Sequence, residues 1–259
     1  MKPILSIVKI GGNIIENDVE LAQFLALFSE LPGTKILVHG GGKKATAIGE
    51  RLGIRSTLVQ GRRITDAKSL EVAVMVYGGL VNKKIVASLQ ALSSNAIGLS
   101  GADAGSIRSV KRAVRKVDFG FVGDVEQVNT QTLITLLQAG LVPVFCALTH
   151  DGKGQLLNTN ADTIASELAI ALSKEFTTTL YYCFEKPGVL KDVQQDDSVI
   201  THIDKEIYHR LLKEKSIADG MLPKLENCFH ALDNAVEKVC IGNTHMLHPD
   251  HHLFTTITL

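Results

Sequence analysis

A lysine that leaves a β-strand straight into glycines is an anion site in outline, and Lys9-Ile10-Gly11-Gly12-Asn13 has that form. It sets a point charge beside backbone N–H groups that no side chain shields, and such a concavity binds phosphate. A second passage, His39-Gly40-Gly41-Gly42, presents the same kind of donors. Both fall where an open parallel sheet binds its ligands, at the carboxyl ends of strands. Asp162 closes Asn158-Thr159-Asn160-Ala161-Asp162 and starts a helical pattern. Lys224 ends Asp219-Gly220-Met221-Leu222-Pro223-Lys224, where Asp219 reads as a helix N-cap and the lysine sits in the first turn. One aspartate can hold two ammonium groups by charge-assisted hydrogen bonds. Two lysines so held, facing N–H-rich loops, are what in-line phosphoryl transfer requires, because its transition state needs positioning and electrostatics more than covalent help.

The elements that must position these residues follow from the rest of the chain. Its 259 residues suffice for a large core, and 27 basic side chains balance 27 acidic ones. That neutrality, with no basic block, argues against nucleic acid as the main partner. Cys146, Cys183, Cys228 and Cys240 are far apart and read as buried, reduced thiols, which suits the cytoplasm. The apolar run Ile4 to Val8 is too short for a secretory signal, and Leu133 to Leu148 is broken by Gln138, Gly140 and Pro143. We therefore expect a cytoplasmic protein with no membrane span.

Short β-like runs alternate with amphipathic helical patterns, the signature of a mainly parallel sheet between helices. Helices are expected over Val19 to Ser29, Lys43 to Leu52, Thr130 to Ala139 and Ala161 to Leu172. A long one over Asp66 to Leu92 is expected to kink at Gly78-Gly79 and to serve core and subunit contact. Ile107 to Val128 alternates basic and apolar residues and predicts a hairpin projecting from the sheet. A lobe boundary near Lys174 divides the chain into 1–174 and 175–259.

Taken in order, Lys9 to Asn13, His39 to Gly42, Gly61 to Thr65, Asn158 to Asp162 and Asp219 to Lys224 resemble the acetylglutamate kinases of the amino acid kinase superfamily. The resemblance implies the three-layer α/β fold of that superfamily, an open, mainly parallel sheet sandwiched by helices in two lobes. It implies ATP-dependent phosphorylation of the γ-carboxylate of an N-acylglutamate in arginine biosynthesis. Lys9 and Lys224 would stabilise the transferring phosphoryl group, and Asp162 would organise them. Gly41, Gly42, Arg63, Asn158 and Asn160 would hold the acylglutamate in the N-terminal lobe. Gly11, Gly12, Glu185, Gly188, Gly220 and Met221 would meet the phosphates and nucleotide, with Mg2+ carried on ATP and the nucleotide bound mostly by the C-terminal lobe. Chemistry agrees, since a carboxylate nucleophile is already ionised at neutral pH and needs no general base.

The departures carry information as well. Cys183-Phe184-Glu185-Lys186-Pro187-Gly188 replaces the usual aspartate-centred nucleotide loop. Lys43, Lys44 and Arg62 add cations near the acyl pocket, so N-succinyl-L-glutamate, with its additional carboxylate, is a candidate substrate beside N-acetyl-L-glutamate. The first strand begins within a few residues of Met1, without the added helix of arginine-inhibited relatives, and predicts a homodimer free of arginine feedback. Two competing readings remain open. Gly40-Gly41-Gly42-Lys43-Lys44-Ala45 fits the dinucleotide fingerprint of an NADP-dependent oxidoreductase, and the same fold can serve as a non-catalytic amino-acid sensor. His245, His248, His251 and His252 match no zinc spacing, and Gly98-Leu99-Ser100-Gly101-Ala102 misses a nucleophile elbow at its last position.

Overall fold

Leu5, Ile7, Val8 and Ile10 are fully buried along β1 (Ile4–Ile10), as expected of a strand with both sheet faces covered. The computed structural model describes residues 2–59, 62–192, 194–214 and 221–259. After β1 come α1 (Gly12–Glu16), α2 (Asp18–Glu30), β2 (Thr34–His39) and α3 (Gly42–Arg51). Asn17 caps α2 by accepting from Val19 N and Glu20 N, and Leu21, Phe24, Leu25 and Phe28 form its buried face. The helix expected over Val19 to Ser29 is thus present, with its 3.6-residue apolar spacing turned inward.

Two short strands, β3 (Thr57–Val59) and β4 (Arg62–Ile64), pair as a hairpin. The long helix then divides into α4 (Ala67–Ala73), a π-helical segment (Val74–Val81) and α5 (Asn82–Ala91). The expected kink at Gly78-Gly79 is thus a change of hydrogen-bond register, with the Asn82 N–H donating to the Tyr77 carbonyl. By length and composition the 25 residues Ala67–Ala91 could cross a membrane, a stretch that the sequence reading treated only as a helix of core and subunit contact. Val72, Val76, Val81, Ile85 and Leu89 of this helix are nevertheless buried in the core.

The second half supplies β5 (Ala96–Leu99), β6 (Ile107–Lys111), β7 (Gly123–Val128), α6 (Thr130–Gln138) and β8 (Val142–Cys146). Then come β9 (Leu148–His150), β10 (Leu156–Asn158), α7 (Ala161–Leu172), β11 (Thr177–Cys183) and β12 (His202–Ile203). The described chain closes with α8 (Lys205–Glu214), α9 (Leu222–Asp233), β13 (Lys238–Gly242) and β14 (Thr255–Ile257). The main sheet runs β12-β14-β13-β11-β1-β2-β8-β5. It is parallel except between β13 and β14.

Right-handed crossovers put α2 and α5 on one face and α6, α7 and α9 on the other. The packing agrees, α2 lying against α5 and α7 against both α9 and β1. The result is the three-layer, mainly parallel α/β architecture expected. The chain leaves β1 for β2 on one side and returns to β11 on the other, so the carboxyl end of β1 is a topological switch point, where such sheets bind ligands.

The predicted hairpin exists as β6 and β7, but it belongs to a second sheet, β10-β9-β6-β7, that sequence reading did not resolve. This sheet is stitched to the β3-β4 hairpin at Thr65. Phe121 N donates to Thr65 O at 2.7 Å, and Thr65 N donates to Phe119 O at 2.9 Å. A Cβ on Gly120 would lie 2.2 Å from Thr65 O, so only glycine permits the approach.

Candidate active site

Lys9 stands one residue before the end of β1, Asp162 in the first turn of α7, and Lys224 in the first turn of α9. Strand and helices converge so that Lys9 Nζ lies 2.7 Å from Asp162 Oδ1 and Lys224 Nζ 3.5 Å from Asp162 Oδ2. Burial pushes the Asp162 carboxyl up, but the two ammonium groups, Lys9 foremost, outweigh it and hold the group below the usual carboxylate range. The site therefore keeps one anion between two cations. Tyr182, on β11, donates its phenol to the Asp162 carbonyl at 3.1 Å and ties the start of α7 to the sheet. The Lys224 ammonium also lies 5.7 Å from the centroid of the Phe184 ring, within cation–π range.

A cleft of about 730 Å³ opens beside Asp162 and Lys224, with the Gly40 to Gly42 loop along one wall. Against that loop stands Arg63, whose Nη2 donates to Gly42 O at 2.8 Å and Thr46 Oγ1 at 2.7 Å, and whose Nη1 donates to Ser56 Oγ. Asn158 lines the same cleft and donates from Nδ2 to Thr65 Oγ1 at 2.9 Å. Asn160 lines it too, while its side-chain oxygen caps α7 by accepting from Asp162 N and Thr163 N. That asparagine holds the helix that presents Asp162.

His39 sits under the glycine loop, fully buried. Its Nδ1 donates to Gly40 O at 2.7 Å, so its Nε2 accepts from Asn82 Nδ2 at 3.0 Å. Burial lowers its pKa to about 4, and the ring is a neutral strut rather than a proton carrier at physiological pH. Gly11 and Gly12 open α1, and a Cβ on Gly12 would meet the Lys43 side chain at 3.6 Å.

The three additional cations separate. Arg62 lines the cleft, and so does Lys43, which also donates to Asn13 Oδ1. Lys44 does not line it, being paired with Glu16 at 3.6 Å. One helical residue turns the side chain by about 100°, which corrects its expected place at the acyl pocket. Glu185 is exposed and Gly188 buried, and neither lines this cleft. A Cβ on Gly188 would lie 2.7 Å from both Thr255 Oγ1 and Val199 Cγ1, so the packing there requires a glycine whatever else the loop does. Met221 is half-buried at the start of α9. Gly61, Asp219 and Gly220, which the sequence reading also singled out, lie outside the described residues.

Among the lining residues that sequence reasoning missed, two could meet a charged ligand, Tyr77 and Arg112. Tyr77 was hidden in a helix read as core and subunit contact. Arg112 is held by Asp124, from Nε at 3.0 Å and from Nη2 at 2.5 Å, and lies over the Phe119 ring. Its signal was the basic alternation of the hairpin. Beyond Arg62 and Arg112, which it shares with the first cleft, a second cavity of about 720 Å³ opens, lined also by Arg115 and Lys116.

The profile of the amino acid kinase family matches residues 5–243. The acetylglutamate kinase of Phocaeicola vulgatus is 58% identical over 241 residues, covering 93% of this chain and 94% of that protein. The acetylglutamate kinase of Bacteroides fragilis is 54% identical over 250 residues, covering 96% of each. Among solved structures, carbamate kinase from Giardia lamblia bound to AMP-PNP has a TM-score of 0.73 at 12% identity, over 98% of each chain. At that identity it speaks for the fold alone.

Proposed function

The chain belongs to the amino acid kinase family and, within it, to the acetylglutamate kinases, and from that footing we propose how its cleft phosphorylates the γ-carboxylate of N-acetyl-L-glutamate with ATP in arginine biosynthesis. The observation that carries the reading is the bridging of Lys9 and Lys224 by Asp162 beside the glycine loops. Two anions must meet, the substrate carboxylate and the triphosphate, and cations on both sides cancel their repulsion. A γ-carboxylate oxygen attacks the γ-phosphorus, the bond to the β,γ-bridging oxygen breaks, and ADP leaves with that electron pair. The product is an acyl phosphate. No side chain need take a proton, because the nucleophile is ionised well below neutral pH. Lys9 and Lys224 stabilise charge spread over the transferring oxygens, and Asp162 keeps their ammonium groups at fixed positions.

Arg63, Asn158 and the Gly41 and Gly42 amides hold the acylglutamate, and the restrained guanidinium keeps its charge and two of its five N–H groups for the α-carboxylate. Asn160 serves through α7. Gly11 and Gly12 meet the phosphates, and the 175–259 lobe, through Glu185, Gly188, Gly220 and Met221, takes the rest of the nucleotide. Mg2+ would arrive on the triphosphate oxygens, its usual mode. Bound there, it would neutralise phosphate charge. We place the enzyme in the cytoplasm as a homodimer. The dinucleotide reading is not favoured, because it leaves Lys9, Asp162 and Lys224 without a task.

A second substrate reading rests on Arg62 and Arg112, which line both the cleft and the cavity behind it. They suit a longer acyl group that ends in a carboxylate, as in N-succinyl-L-glutamate. Purified enzyme should release ADP from ATP with an N-acylglutamate and form a hydroxylamine-trappable acyl phosphate. Lack of both with either acyl compound overturns the kinase reading, and comparing their kcat/KM values chooses between them. Exchanging Arg62 for glutamate should then harm the succinyl substrate selectively.

A further inference from the structure

Tyr77 is 4% exposed, and its ring packs so closely on the glycine loop that a Cβ on Gly41 would lie 2.7 Å from Cδ1. The Tyr77 hydroxyl and Arg63 Nη2 are each 3.9 Å from the point where a Gly42 Cβ would stand. Phenol and guanidinium thus share one corner of the cleft. A guanidinium only donates, so the phenol oxygen facing it can only accept, and the phenol proton must point elsewhere. Among the described residues no acceptor takes it in a hydrogen bond. Burial raises the phenol pKa by more than Arg63 lowers it, and the proton is therefore present at neutral pH.

The backbone beneath is the reason Tyr77 reaches this corner. In the π segment the Asn82 N–H donates to the Tyr77 carbonyl, five residues back. Residues 77 and 82 therefore stand about one turn apart, nearly in line. In an α-helix five residues advance about 500°, which would leave the two side chains about 140° apart. Here both reach the same loop. Asn82 is 1% exposed and donates from Nδ2 to His39 Nε2 at 3.0 Å and to Val144 O at 2.9 Å, while Tyr77 supports Gly41 and Gly42. An α register would hold one residue in place and turn the other away.

We propose that Tyr77 is a substrate-binding residue whose phenol donates to an acylglutamate oxygen beside Arg63, and that the π-helical turn, pinned by Asn82, is what holds it there. The proposal rests on the kinase reading above and assigns that site a donor and a positioning device. The test is steady-state kinetics of wild type and Tyr77→Phe with ATP and N-acetylglutamate, joined to thermal melts and to calorimetric titration of N-acetylglutamate alone. Loss of a hydrogen bond to a charged group predicts a KM and Kd for N-acetylglutamate raised by about tenfold or more. The KM for ATP, kcat and Tm should stay near wild type.

An active wild type whose Tyr77→Phe variant keeps its KM and Kd overturns the assignment and leaves the kinase reading standing. KM values raised for both substrates together with a lowered Tm would reduce Tyr77 to packing, and would overturn it too. A wild type that neither binds nor turns over N-acetylglutamate removes both readings. Tyr77→Leu, which deletes ring and hydroxyl together, should add a Tm loss that Tyr77→Phe does not show.

Discussion

Lys9 and Lys224 take opposite oxygens of the Asp162 carboxylate, the first at 2.7 Å and the second at 3.5 Å. That asymmetry marks Lys9 as the tighter partner and Lys224 as the looser one. Asp162→Asn keeps the shape but removes the charge that fixes both ammonium groups. We expect kcat to fall about 100-fold or more with KM values little changed, measured by ADP release. Because Asp162 titrates below the ordinary 3.8 when folded, its contribution to stability is complete above that value. It is lost as pH falls through the lower folded pKa, and acid melts of Asp162→Asn should lack this component.

His39 sets an acid sensitivity of the same sign in a higher pH window. Its ring is buried and neutral between Gly40 and Asn82, with a pKa lowered from 6.5 to about 4. Between those values the unfolded chain binds a proton that the folded one refuses, so stability rises with pH across the window. The difference amounts to something on the order of 3 kcal/mol between pH 4 and pH 7. Urea melts of His39→Gln over this range should show a flatter pH dependence than wild type. An unchanged slope would mean that other groups carry it.

Gly120 tests how the acyl site is braced. It has φ +71°, and its Cβ position is 2.2 Å from Thr65 O. Gly120→Ala must therefore part the β3-β4 hairpin from the second sheet, moving Arg63 and loosening the Thr65 contact with Asn158. Strain and lost contacts predict a Tm lowered by roughly 5 °C or more. The KM for the acylglutamate should rise more than that for ATP, which initial-rate kinetics will read.

The Lys9–Asp162–Lys224 cluster was legible because each member sits where chain grammar is loudest: Lys9 at a strand end before glycines, Asp162 behind an asparagine cap, Lys224 in a helix's first turn. The face of α2 was legible too, through its 3.6-residue spacing. Tyr77 was not. The π segment departs from that spacing, so its glycines looked like a kink, and a phenol within an apolar run looked like core. The second sheet was hidden for another reason. Leu148–His150 and Leu156–Asn158 are three residues each, too short to alternate visibly, and their partners lie far away in sequence. Lys44 shows the limit of composition, since a cation beside a pocket in sequence turned to Glu16 in space.

Arg63 and Lys44 together separate a bound charge from a merely nearby one. The Arg63 guanidinium is fixed by Gly42 O, Thr46 Oγ1 and Ser56 Oγ, a planar fork already oriented before substrate arrives. A lysine at 63 keeps the charge but has three donors to the guanidinium's five, so it cannot satisfy three fixed acceptors and still have donors left for the substrate. Arg63→Lys should raise the KM for N-acetylglutamate by roughly tenfold or more while the KM for ATP holds. Lys44→Ala, which removes a pair at 3.6 Å on the helix's outer side, should leave both constants within about twofold. Parallel initial-rate measurements on the two variants decide the matter. Equal losses would mean that the cleft senses net positive charge and not the geometry of a particular guanidinium.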